Sequence, residues 1–213
     1  SFSEYRYDRA LVEGTWYSGL NASSVLATRI RGGWVGSARG EEATDVIPPQ
    51  KRFYAGGANS VRGFAQSRLG PRVLVVENPS VLTDPVDQGG AGCTLAEVVA
   101  LTCDASGAEG LQSRAIGGTR VLEGNVELRF ALARDFEAVT FLDFGQVWTP
   151  DQSVDVRDLE FTPGFGLRYF SPVGPIRLDL GYSFRGSEPL PVLTQRVDPG
   201  GSPTGELAVL GPR

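Results

Sequence analysis

The chain has 213 residues, 41% hydrophobic and 21% charged, with 28 glycines, 14 prolines and a mean hydropathy of −0.10. It is too apolar to be disordered, and its glycines lack the period of collagen. A net charge of −5 and the absence of His argue against nucleic acid and remove Ser/His triads and most zinc sites. No apolar run approaches the roughly 18 residues of a membrane helix, so passage through a bilayer would need strands of about 9–11 residues.

Period-two alternation dominates. Glu4 to Tyr17 and Ser24 to Ser37 are the first expected strands, and in the second Arg29 and Arg31 oppose Leu26, Ile30 and Trp34. The connection from Ala38 to Gly118 far exceeds ordinary loop length, which marks a functional loop or a small subdomain; within it Thr94 to Leu101 is expected to form a short helix. Thr119 to Leu132 sets Leu122, Val126, Leu128 and Phe130 against Glu123, Asn125, Glu127 and Arg129. Glu137 to Trp148 turns Leu142, Phe144 and Trp148 one way and Asp143 the other. Phe161 to Phe170 and Pro175 to Arg185 repeat the alternation, and a last strand is expected from about Thr204 to the end, roughly seven in all.

Tight turns at Ala133 to Phe136 and Ser171 to Gly174 alternate with longer connections, as in outer-membrane barrels. A soluble sandwich or lipocalin-like barrel alternates in the same way, and periodicity does not separate the two. The polar face favours a membrane barrel, because Arg129, Arg168, Arg177 and Asp179 mixed with Gly suit a hydrated interior. Trp34, Trp148, Tyr169, Tyr182 and Phe184 suit interfacial girdles.

Cys93 and Cys103 are the only cysteines. Two thiols without His are too few for a metal site and too far apart for a C-x-x-C redox pair, so a structural disulfide is favoured over two free thiols, with maturation in an oxidising compartment. The sharpest local feature is RFYAGGANSVRGF, Arg52 to Phe64. Gly56 and Gly57 permit left-handed backbone, Arg62 offers five fixed donors, Gly63 permits close approach and Phe64 anchors. It lacks the spacing and lysine of a phosphate loop. Asp151, Asp155 and Asp158 do not follow an EF-hand spacing, Ser60 has no base, and no catalytic set is found.

RFYAGGANSVRGF followed by LGP resembles the loop 6 signature of the Omp85 superfamily of outer-membrane assembly proteins and translocators, whose VRGF tetrad is matched by Val61, Arg62, Gly63 and Phe64. EGNVELRF, TFLDFGQVW and FTPGFGLRYFSPVGPIRLDLGYSF (Glu123 to Phe184) resemble the last barrel strands of that family, in order. The resemblance implies an all-β chain, residues 1–213 forming the C-terminal part, about seven antiparallel strands, of a sixteen-stranded transmembrane barrel in the bacterial outer membrane. Residues 38–118 would be a long loop folded back into the lumen. POTRA domains and the earlier strands would lie upstream.

The resemblance also implies that Arg62 pairs with acids of the inner wall, and strand parity points Glu127 and Asp143 there. Two like charges in a partly desolvated site need a cation between them, and a guanidinium can offer each two parallel bonds. Removing Arg62 is expected to leave two uncompensated acids. A glycosidase reading of the two carboxylates is set aside, since an arginine is expected between them. The implied function is insertion of other β-barrel polypeptides by strand addition at a seam, without enzyme chemistry or cofactor. Gly205, Leu207, Val209 and Gly211 would form one side of that gate. The implied partners are outer-membrane lipid, unfolded β-barrel or secreted clients, and periplasmic assembly factors reached through POTRA domains. Alternatives are a two-partner secretion translocator, the barrel of a patatin-like passenger protein, and, outside the family, a porin-like barrel.

Overall fold

A computed structural model describes residues 7–37, 47–105, 107–184, 186 and 190–210. Among these the strands are β1 (Tyr7–Asn21), β2 (Ser24–Ser37), β3 (Arg72–Val76), β4 (Leu111–Ala115), β5 (Arg120–Ala133), β6 (Phe136–Trp148), β7 (Glu160–Ser171), β8 (Gly174–Gly181), β9 (Val192–Val197) and β10 (Pro203–Leu210). Two short helices, α1 (Ser80–Thr83) and α2 (Leu95–Val99), interrupt them. No helix among the described residues is long and apolar enough to cross a membrane. The chain divides into two units, 1–71 with 117–186 and 72–116 with 187–213.

The first unit is a six-stranded antiparallel sheet in the order β1-β2-β5-β6-β7-β8. Its alternation sorts the side chains in an order that a soluble sandwich would reverse. The apolar face is exposed, with Val12, Trp16, Ile30, Val126, Leu142 and Phe165 among the uncovered side chains. The polar face is covered, and Glu123, Glu127, Asp143 and Thr162 are buried. A contiguous exposed apolar face over buried charge is the arrangement of a lipid-facing strand wall.

Residues 47–71 cover the polar face. Towards the long-connection ends of the strands that face carries valines, and Val35, Val121 and Val147 form a core with Ile47, Phe53, Ala55, Val61 and Leu69 of the covering segment. Paired backbone bonds between Phe53 and Gly118 (N to O, 2.8 and 3.0 Å) and one from Val35 N–H to Thr119 O (2.8 Å) fix both ends of the excursion to the sheet. One expectation for the apolar face fails. Trp148 is 2% exposed, because its indole N–H donates to Asp158 Oδ2 (3.2 Å) of the connection between β6 and β7.

The second unit is a four-stranded sheet, β10-β9-β3-β4. β3 pairs antiparallel with β4 and parallel with β9, through Leu74 opposite Val192 and Val75 opposite Leu193. Its core joins Val76, Leu82, Val98, Val192, Val197 and Leu210. The Cys93–Cys103 disulfide is formed and brackets α2. That helix starts with a capping box in which the Thr94 N–H donates to Glu97 Oε2 (2.7 Å) and the Glu97 N–H donates to Thr94 Oγ1 (3.3 Å), satisfying two end donors reciprocally.

One expectation is narrowed here and one is corrected. Of the two readings of 38–118, a functional loop or a small subdomain, 72–116 follow the second, since they form a compact unit with the C-terminal segment. The strand expected from Thr204 onward does not extend the first sheet. β10 pairs with β9, because burying Ala208 and Leu210 needs the apolar core that β3 and the disulfide-bracketed segment supply.

An ion cluster around Arg62

Antiparallel register sets the site. Asn125 of β5 faces Asp143 of β6, which faces Thr162 of β7, and in the neighbouring row Glu127, Phe141, Gly164 and Gly181 lie in line across β5 to β8. The two glycines leave a gap in the side-chain layer, and into it the covering segment inserts its tip. The Phe141 ring lies over Gly164, where an added Cβ would collide with its Cζ. The Arg62 guanidinium stacks on that ring at 3.5 Å from its centroid, a cation–π contact out of water.

Arg62, only 6% exposed, is bound on every side. Its backbone N–H and its Nε both donate to Asp143 Oδ2 (2.8 Å each), and Nη2 donates to Asp143 Oδ1 (2.7 Å). Nη2 also lies 2.8 Å from Glu127 Oε1, and Nη1 donates to Asp179 Oδ2 at 3.0 Å. This is the bidentate fork that lysine cannot make. Burial works against the charge on Arg62, but the hydrogen bond and charge of Asp143, with Asp179 and Glu127, outweigh it and hold the guanidinium pKa above its ordinary value.

The acids have further partners. Glu127 Oε2 accepts from Arg129 Nη2 (2.7 Å) and Arg168 Nη2 (2.9 Å), and Asp179 Oδ2 lies 3.2 Å from Arg177 Nε. The rest of the tip is pinned through its backbone. Arg29 Nη1 donates to Asn59 O (2.9 Å) and Arg177 Nη2 to Ala58 O (2.6 Å). Ser60 Oγ donates to Glu123 Oε2 (2.5 Å) and accepts from the Gly56 N–H (2.9 Å).

The motif residues fall into distinct places. Val61 is fully buried, and Phe64 packs on the same core. Gly56 and Gly57 have φ of 100° and 103° and turn the chain into the tip. Gly63 has φ of 116°, and a Cβ there would stand 2.8 Å from Thr162 Cγ2, so only glycine fits.

Sequence reasoning brought Arg62 together with Asp143 and Glu127 but missed Asp179, Phe141, Glu123 and Gly181. A Cβ on Gly181 would meet the Arg62 carbonyl oxygen at 2.6 Å. Asp179 lay on the polar side of its strand by parity, which was the available signal. The proposed gate residues Gly205, Leu207 and Val209 lie in β10, in the other unit, and Gly211 lies outside the described residues.

Exposed apolar strands backed by a charged face that an inserted loop covers define part of an outer-membrane β-barrel. The chain belongs to the Omp85 superfamily, whose domain matches residues 2–190. It is 24% identical over 212 residues to the outer membrane protein assembly factor BamA of Neisseria meningitidis serogroup B (strain MC58), covering 86% of this chain and 22% of that one. The fold is similar to the crystal structure of BamA from Haemophilus ducreyi lacking POTRA domains 1–3, with a TM-score of 0.59 and 20% identity over 86% of this chain and 33% of the other. The chain thus spans about a fifth of the length of the curated relative.

Proposed function

We propose that this chain is the C-terminal part of the barrel of an outer-membrane protein assembly factor, which inserts β-barrel polypeptides by strand addition at a seam. The observation that carries the reading is the Arg62 cluster, which holds a loop tip against the polar side of a lipid-facing wall through Asp143, Glu127 and Asp179. The name of the Neisseria relative supports the same role. In this reading the clamp keeps the wall rigid while an incoming strand completes its backbone hydrogen bonds on an edge elsewhere in the whole barrel. No bond is made or broken, and no cofactor enters. Gly205, Leu207 and Val209 are not assigned to the seam in this reading, because β10 is the outer strand of the four-stranded sheet and is not a strand of the six-stranded one. Clients and periplasmic assembly factors would be engaged by the complete protein, with POTRA domains upstream.

The test is reconstitution of the full-length protein in liposomes with a denatured eight-stranded client, reading the fraction that becomes heat-resistant on a gel. The wild type should raise that fraction several-fold over protein-free liposomes. Arg62→Ala should abolish most of the gain, while Arg114→Ala, at an exposed ion pair with Glu77, should not. A wild-type protein that adds nothing to the spontaneous yield would overturn the reading.

A further inference from the structure

Between the loop tip and the short turns, the polar face of the first sheet opens into a cavity of about 660 Å³. Arg29, Arg62, Arg129, Arg168 and Arg177 line it, against the carboxylates of Glu127 and Glu137. Asp143 and Glu123, which balance the arginines electrostatically, are 0% and 1% exposed and do not line it. At the lining itself five guanidinium groups therefore meet two carboxylates, and the remaining countercharge sits behind them. The network as a whole is balanced, with Glu13, Glu123, Glu127, Glu137, Asp143 and Asp179 as the acids. The cationic surplus therefore belongs to the lining side chains alone, and a low-dielectric concavity strengthens what field that surplus leaves.

Arg129 already holds Glu127, Arg168 holds Glu127 and Glu137, and Arg177 holds Asp179, and two details leave room for a further anion. Arg168 of β7 and Arg177 of β8 are direct cross-strand partners, a like-charge pairing that is destabilising by itself and that Glu127, Glu137 and Asp179 offset. Arg168 Nε is buried with no hydrogen-bond partner. Arg129 stands two strands away on β5, so the cations are spread across the wall and suit several carboxylates spaced along a chain. The apolar face of the sheet is the one turned to lipid, which keeps hydrocarbon-anchored headgroups away.

We propose that this cavity binds an acidic stretch of polypeptide, whose carboxylates are taken by Arg129, Arg168 and Arg177. The inference rests on reading the chain as part of a polypeptide-handling barrel and adds the charge of the segment that enters it.

The experiment uses the full-length protein in nanodiscs of zwitterionic lipid and the anisotropy of fluorescent octaglutamate, with octaglutamine as the neutral control. Octaglutamate should bind, octaglutamine should not, and affinity should fall about tenfold between about 0.05 and 0.3 M salt. Arg168→Gln should weaken binding about tenfold, as expected for loss of a charge-assisted pair. Because Arg168 also holds Glu127, the more exposed Arg177→Gln is measured beside it and should weaken binding several-fold. Equal binding of both peptides, or unchanged affinity in both variants, would overturn the proposal. So would displacement of octaglutamate by an equal concentration of inorganic phosphate, which would mark a site for small anions. Client assembly is scored separately: lost peptide binding with intact assembly removes only this proposal, and failed assembly with intact binding removes only the preceding one.

Discussion

Arg62→Ala is the most informative single change. It removes three side-chain hydrogen bonds, two to Asp143 and one to Asp179, and the 2.8 Å ion pair with Glu127. The loss is uneven. Glu127 keeps Arg129 and Arg168, and Asp179 keeps Arg177. Asp143, 0% exposed, retains from this set only the N–H of residue 62. The sequence led us to expect two uncompensated acids; the geometry leaves one. Stranding one buried charge costs about 3–5 kcal/mol, which at about 1.36 kcal/mol per tenfold raises local opening roughly a hundred- to five-thousand-fold. Hydrogen exchange on the full-length protein reads this directly. The amides of Gly57 and Ser60, bonded to Phe64 O and Gly57 O, should exchange faster by that factor while the β5–β6 ladder does not change. Adding Asp143→Asn to Arg62→Ala should recover at least tenfold, because the stranded charge is gone. Unchanged exchange in the single variant, or no recovery in the double, would refute the reasoning.

Gly63→Ala forces a side chain into φ of 116° beside Thr162 at a cost of about 1–3 kcal/mol, and the same tip amides should report it; unaltered rates would show that the tip tolerates a Cβ. Replacing both Cys93 and Cys103 by Ser releases a closure of sequence separation 10, worth about 3 kcal/mol. Limited proteolysis should then cut within residues 79–110 while β5 to β8 stay resistant, and an unchanged cleavage pattern would refute the staple. Glu97 has its pKa below the ordinary carboxylate value, through the Thr94 backbone and side-chain hydrogen bonds. Its contribution to α2 is therefore complete above the ordinary value and is lost as pH falls through the lowered one. Exchange at the Glu97 amide should be protected at neutral pH and lose protection, relative to amides of the β3–β4 pair, only as pH falls below the ordinary carboxylate range, and a constant ratio would refute the sign.

Strands β2 and β5 to β8 were legible because each is long, with a face that must be apolar against lipid and a face that must be polar beneath the loop. The parity that pointed Glu127 and Asp143 to one side follows from the same period. The second sheet was not legible. β3 and β4 are five residues each, too short for alternation to declare itself, and Leu74 finds Val192 across more than half the chain, which no local pattern encodes. Asp179 was visible as a polar-face residue, but which acid an arginine reaches depends on the glycines at 164 and 181 that clear its path. Trp148 ends its strand among aromatics and reads as outward; only the fold of the following connection, with Asp158 placed to accept its N–H, hides it.

The parallel pairing of β3 with β9 also makes one sheet depend on two distant parts of the chain. The β3–β4 pair alone is marginal in water, and the strands that complete its sheet follow β8 in the chain. Closing such a distant contact is entropically slow. The subdomain inside the long excursion therefore cannot complete its sheet from its own residues and depends on the segment that follows β8.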